Sequence, residues 1–177
     1  MQLKLKQSEL NKRFIFALKD LVISHNDVNK KPLEVDLKLP LPRKIRVYIF
    51  NTTYPPGGRS LGEHKIQLIV PGQDRGQRGS FDHSDGRIVL LCGYQPELDV
   101  FILWDASLYH EFAFSRNVQV KAETIIEGFA GKIGRQQRRI RHGGSIKNEI
   151  VLTAKAGLLS EAILLRISLT LNKLINS

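Results

Sequence analysis

Arg46-Val47-Tyr48-Ile49-Phe50 is followed by Asn51-Thr52-Thr53-Tyr54-Pro55-Pro56-Gly57-Gly58-Arg59-Ser60-Leu61-Gly62-Glu63-His64-Lys65, and then by Ile66-Gln67-Leu68-Ile69-Val70-Pro71. The two flanking runs are dense in β-branched and aromatic residues, the composition of buried strands. Between them, two prolines stiffen the chain and two glycines then release its backbone geometry. The connection closes on long polar donors: Arg59, His64, Lys65 and Gln67. Donors held on a rigid strand pair suit the edge of a nucleic acid better than they suit catalysis.

Working outward, the chain reads as short strands bracketed by helices. Leu10, Phe14, Ala17, Leu18, Leu21 and Val22 share one helical face and predict a helix over residues 8–25 with Ser8 as its N-cap. A polar linker follows. Leu33-Glu34-Val35-Asp36-Leu37-Lys38-Leu39 alternates as a half-buried strand until Pro40 and Pro42 stop it. Further strands are predicted over 45–50, 66–70, 87–94, 100–104, 117–121 and 149–153, separated by turns such as Pro71-Gly72 and Ser84-Asp85-Gly86. Helices are expected over 122–130 and 158–175. The last is apolar on nearly all sides, so it must pack within the domain, against a neighbour, or on a second copy as a homodimer. Irregular strand spacing argues against βαβ units and for an α+β fold, a β-dominated barrel or sandwich flanked by helices.

The 177 residues are enough for one domain with a sizeable core. Twenty-seven Lys and Arg against 17 Asp and Glu give a net charge of +10, the footprint of a polyanion binder. The single cysteine, Cys92, lies in Ile88-Val89-Leu90-Leu91-Cys92 and reads as a core residue, leaving no disulfide framework and no thiolate metal site. No apolar stretch reaches signal-peptide or membrane-spanning length, and a cytoplasmic setting without membrane contact is expected.

Cations and amides concentrate in two further places. In Phe114-Ser115-Arg116-Asn117-Val118-Gln119-Val120-Lys121, residues Ser115, Asn117, Gln119 and Lys121 share one parity of an extended chain, while Val118 and Val120 share the other. Arg and Lys fork onto guanine, and Asn and Gln onto adenine, so the set suits major-groove readout; a solvent-facing edge strand is the plainer alternative. Gly131-Lys132-Ile133-Gly134-Arg135-Gln136-Gln137-Arg138-Arg139-Ile140-Arg141-His142 is the second place. Its Arg135, Arg138 and Arg139 are candidates for phosphate neutralisation, against the alternative of a solvated basic turn. Arg75 and Arg78, in the loop 71–79, are added as backbone contacts. That loop has neither G-x-G-x-x-G spacing nor a Walker lysine, so a nucleotide site is not expected.

The segment 57–71 resembles the glycine-pair, polar, strand, proline pattern of effector domains in EcoRII-type restriction enzymes, and Phe114-Ser115-Arg116-Asn117-Val118-Gln119-Val120 resembles their second recognition arm. The chain is more similar still to a methylase-associated domain of bacterial restriction–modification proteins. That likeness runs through Gly57-Gly58-Arg59-Ser60, Pro71-Gly72-Gln73, Phe81-Asp82, Asp85-Gly86-Arg87 and Leu103-Trp104-Asp105, over residues 46–153. The resemblance implies an open seven-stranded pseudobarrel that grips duplex DNA between two arms. Arg59, His64, Lys65 and Gln67 would belong to the first arm, and Ser115, Arg116, Asn117, Gln119 and Lys121 to the second. Residues 1–42 would then form an N-terminal helix and strand, and 43–177 the recognition domain with its C-terminal helix.

The rival is a Mg²⁺-dependent restriction nuclease of the D…(D/E/Q)-x-K type, with Asp99 or Asp105 and Gln119-Val120-Lys121. Its second carboxylate is replaced by Gln119. No glycine-rich cofactor loop supports a methyltransferase, no nucleophile elbow supports a hydrolase, and the histidines show no metal-ligand spacing. The sequence therefore points to a sequence-specific DNA reader without catalytic or metal residues of its own. Its expected partners are double-stranded DNA and, within a restriction–modification system, a nuclease or methyltransferase subunit.

Overall fold

The computed structural model describes residues 2–54, 62–142 and 144–177. In chain order these form α1 (Gln7–Leu18), β1 (Val22–His25), β2 (Leu33–Leu37), β3 (Lys44–Asn51), β4 (Glu63–Leu68), β5 (Arg78–Gly79), β6 (Ile88–Gln95), β7 (Val100–Trp104), β8 (Phe112–Ala113), β9 (Arg116–Lys121), α2 (Ala122–Phe129), β10 (Gly134–His142), β11 (Ser145–Lys155) and α3 (Leu159–Ile175). The fold is α+β, as expected. A seven-stranded sheet runs β1-β2-β3-β6-β7-β11-β10, and β4-β9 and β5-β8 form separate two-stranded ribbons. The sheet is open, with β1 and β10 as its edges rather than as a closing pair. Its pairs are antiparallel except β3 with β6.

Strand alternation sends successive side chains to opposite faces. On one face Val47, Ile49, Leu90, Cys92, Leu103 and Leu152 meet Leu10, Phe14 and Leu18 of α1 and Leu159 and Ile163 of α3. On the other, Tyr48, Phe50, Leu91, Ile102, Trp104 and Val151 meet Ile66 and Leu68 of β4, Val118 and Val120 of β9, and Ile125 of α2. Helices cover one side of the sheet and the ribbon with α2 the other. That is why the central strands read as unbroken apolar runs: they are buried twice. Residues 1–42 contribute to the same core, through α1 and through β2 pairing with β3.

Two expectations about elements need correction. The first helix stops at Leu18, short of residue 25, and begins at Gln7, where the Lys6 N–H donates to Glu9 Oε2 at 2.7 Å. Lys19 takes a positive φ of 50° and breaks the helical path. Leu21 and Val22 continue the helical period in sequence, but Val22 pairs with Leu37 in β1–β2 and the Leu21 carbonyl accepts from the Lys38 N–H at 2.8 Å. Within the basic run 131–142, for which no strand was expected, residues 134–142 form a nine-residue strand, β10, paired along its length with β11.

The final helix is anchored by Leu159, Ala162, Ile163 and Arg166, while Leu171, Leu174 and Ile175 near its end are exposed. Among the described residues no helix is long and apolar enough to cross a membrane.

Gly93 in β6 lies under the indole of Trp104. A Cβ there would meet Thr52 Oγ1 at 2.5 Å and Trp104 Cζ3 at 2.8 Å. Gly93→Ala should therefore destabilise the fold by about 1–3 kcal/mol through overpacking. Denaturant unfolding checks this, and an unchanged midpoint would mean that the Trp104 side has slack.

Candidate nucleic-acid interface

The two segments assigned above to separate arms are the two strands of one ribbon. In β4–β9, Glu63 lies opposite Lys121, Lys65 opposite Gln119 and Gln67 opposite Asn117; His64, Ile66 and Leu68 lie opposite Val120, Val118 and Arg116. The second set faces the sheet, with His64, Ile66, Leu68, Val118 and Val120 all buried. The first set faces outward: Glu63, Gln67, Asn117, Gln119 and Lys121 are exposed and Lys65 is half-exposed. Lys65 also exchanges both backbone hydrogen bonds with Thr53 at 2.9 Å, which tethers β4 to the chain leaving β3.

On its other side the ribbon is held by side chains. The Gln119 carbonyl accepts from the Trp104 indole N–H at 2.9 Å and from the Arg138 guanidinium. Gln136 Oε1 accepts from the Lys121 N–H at 2.8 Å and from the Thr124 hydroxyl at 3.1 Å. Between β9 and β10 lies a polar groove of about 290 Å³, lined by Glu63, Gln119, Lys121, Gln136, Gln137, Arg138 and Arg139. The sequence brought Gln119, Lys121, Arg138 and Arg139 forward as candidates; the fold brings all four to this groove. Along β10, Arg135, Gln137, Arg139 and Arg141 alternate outward and are exposed, whereas Gln136 and Arg138 are half-buried toward the ribbon.

Other candidates sit elsewhere. His64 is 3 % exposed and packs its ring against Tyr54 at 4.2 Å, so it is turned away from the outer face. Burial pushes its pKa down. Arg116 shares the inward parity of Val118, and its guanidinium lies over the Tyr109 ring at 5.0 Å. Arg138 is a strut, its side chain 18 % exposed and its Nε 3.5 Å from Glu149 Oε1. Arg78 is exposed and paired with Glu111 at 3.4 Å. Arg75 is exposed in the turn that the Gln77 N–H closes onto the Asp74 carbonyl, and Ser115 enters β9 with a φ of 62°. Arg59 lies outside the described residues.

Sequence reasoning missed the polar network beneath the groove. Glu149 in β11 is fully buried. It accepts from the Tyr109 hydroxyl at 2.8 Å and the Asp105 N–H at 3.1 Å, and faces Arg138. Burial raises its pKa, against the pull of Tyr109 and Arg138. Asp105 ties this centre to α3: it accepts from Lys173 Nζ at 2.8 Å and Thr170 Oγ1 at 3.2 Å, and Arg166 lies at 3.7 Å. Burial alone would raise the Asp105 pKa, but hydrogen bonds from Lys173 and Ser107 and the charge of Arg166 hold it below the usual carboxylate range. The nuclease alternative asked for Asp105 or Asp99 as a metal ligand. Both Asp105 oxygens are taken by donors, and Asp99 accepts from the Tyr94 hydroxyl. Among the described residues no group of three or more His, Cys, Asp or Glu side chains is placed to hold a metal ion.

Residues 43–163, spanning the ribbon, the groove and both strands of the basic edge, match the family described as methylase-associated X1. The chain belongs to that family. The X1 domain thus fits a restriction–modification setting. Comparison with curated proteins and with solved structures gave no significant match.

Glu149→Ala would leave Tyr109, Arg138 and the Asp105 N–H without their shared acceptor, and should cost about 3–5 kcal/mol in denaturant unfolding. His64 provides a second check. Its folded pKa lies below the ordinary 6.5, so the unfolded chain takes up a proton that the folded chain resists. Its contribution should be constant above that value and fall as the pH drops from about 7 to 5. The stability difference between wild type and His64→Phe measured across this window should change with pH; a flat difference would mean that the ring does not titrate against its burial.

Proposed function

We propose that the X1 domain is the sequence-specific, double-stranded-DNA-binding module of a restriction–modification system, acting beside a methyltransferase. The observation that carries this is the outer face of the β4–β9 ribbon, where Lys65, Gln67, Asn117, Gln119 and Lys121 share one side and Gln119 and Lys121 line a groove rimmed by Arg139. A major groove admits a two-stranded ribbon, and side chains at alternate positions then meet successive base edges. Exposed Arg139 on β10 lies at the groove and Arg135 and Arg141 share its parity along the edge strand, and such cations neutralise phosphates and orient a protein on the duplex. The net charge of +10 supports the same assignment. The two segments that the sequence likeness assigned to two arms pair as one ribbon and would act as one reading surface. His64, Arg116 and Arg138 serve it from beneath.

Selection from a randomised duplex library at physiological salt, with EDTA and Mg²⁺ in parallel, tests the proposal. An enriched motif with intact DNA in both arms supports it; cleavage confined to the Mg²⁺ arm would revive the nuclease alternative. On the selected site, Asn117→Ala or Gln119→Ala should cost about 1–3 kcal/mol and relax the preference at one position. Arg139→Ala should instead weaken all sequences alike and lower the salt slope by about one. Equal loss on every sequence for the amide variants would move them to the phosphate class.

A further inference from the structure

We infer that the base read by the ribbon is adenine, and that methylation of its N6 amino group blocks binding. This rests on the ribbon being the DNA-reading face. The outer face carries amides at adjacent places: Gln67 directly opposite Asn117, and Gln119 next along β9 opposite Lys65. Exposed Gln137 adds a fourth amide at the edge of the groove. Among the described residues of the ribbon, no arginine points outward. The strand's one arginine, Arg116, is turned inward onto Tyr109, and Arg138 below is committed to the Gln119 carbonyl and to Glu149. Among the described residues the fork that best matches guanine O6 and N7 is therefore absent from the ribbon's own outer face, which carries lysines as point charges, and the exposed arginine at the groove, Arg139, stands on β10.

A carboxamide presents an acceptor and a donor side by side, the complement of adenine N6–H and N7. Residues opposite each other in a ribbon stand about 5 Å apart at Cβ, so Gln67 and Asn117 can address the same or neighbouring base pairs. Adenine N6 has two hydrogens, one held in the base pair and one facing the major groove. An N6-methyl group in a paired adenine must take the groove-facing position, because the other hydrogen is needed for pairing. It removes the donor that the amide oxygen requires and fills the space in which that oxygen sits. A carboxamide reader is thereby also a sensor of adenine methylation, which gives a methylase-associated domain a direct chemical readout of whether its site has been modified.

The test uses the full chain and the duplex enriched from the library, prepared unmodified and with N6-methyladenine in place of each adenine in turn, with affinity read by fluorescence anisotropy. The expected result is roughly a tenfold to hundredfold loss on at least one methylated adenine. Gln67→Ala, Asn117→Ala or Gln119→Ala should shrink that gap, since the lost contact is no longer there to lose. An enriched motif without an A·T pair, equal affinity for methylated and unmethylated duplex, or a gap unchanged in Gln67→Ala, Asn117→Ala and Gln119→Ala alike would overturn the inference while leaving a DNA reader in place. Failure to enrich any motif would instead overturn the DNA-reading assignment itself.

Discussion

A carboxylate without access to water must be met on every side by donors, and Glu149 imposes that condition at the centre of this fold. It lies in β11, next to the edge strand, on the face of the sheet that carries the ribbon. Tyr109 reaches it from the segment after β7, Asp105 offers a backbone N–H from the end of β7, and Arg138 comes from β10. Arg138 then continues to the carbonyl of Gln119, so the residue that satisfies the buried charge also seats the strand carrying the outward amides. Through Asp105 the same centre reaches Lys173 and Arg166 of the last helix. Helix layer, sheet and ribbon are registered on one another by this polar core, which apolar packing alone would leave free to slide.

The charge of the molecule is less evenly spread than its composition suggests. Arg46 is buried among Glu34, Asp82 and Asp85, and Arg87 is paired with Glu34 and Asp36. Around β2, β3 and the start of β6, acids and bases therefore meet and cancel. At the opposite edge of the sheet, Arg135, Arg139 and Arg141 alternate outward along β10. Part of the cation excess is directional for this reason: Glu34, Asp36, Asp82 and Asp85 answer Arg46 and Arg87 near one edge, while Arg135, Arg139 and Arg141 stay exposed at the other, and such asymmetry steers a polyanion.

Much of this architecture was legible. Residues 100–104 form β7 as read, and the strands around Val47, Leu91 and Val118 lie within a residue or a few of their expected bounds, because apolar runs and alternation are local signals. The edge strand was not legible. Arg135-Gln136-Gln137-Arg138-Arg139 has one apolar neighbour, Ile140, and it is a strand because β11 pairs with it along nine residues, a long-range cause with no local trace. Side-chain direction was partly available. Alternation that set Asn117 and Gln119 against Val118 also places Arg116 inward with Val118, and His64 inward with Ile66 and Leu68. Residue chemistry suggested readers at both positions, and strand parity turns both side chains inward. Pairing of the two segments into one ribbon needed the register itself, which only the fold supplies.

Because β9 reaches β10 through the side chains of Gln136 and Arg138, β10 has β11 as its only ladder partner among the described residues. A strand of nine residues with one open edge is a template on which another chain can add itself. Its arginines make that addition costly, since a second copy would bring like charges into register. Colloidal protection and polyanion attraction are then one property of the same side chains, and under the proposed function it would be consumed on use: phosphates covering Arg135, Arg139 and Arg141 would remove the repulsion that keeps the edges of neighbouring copies apart.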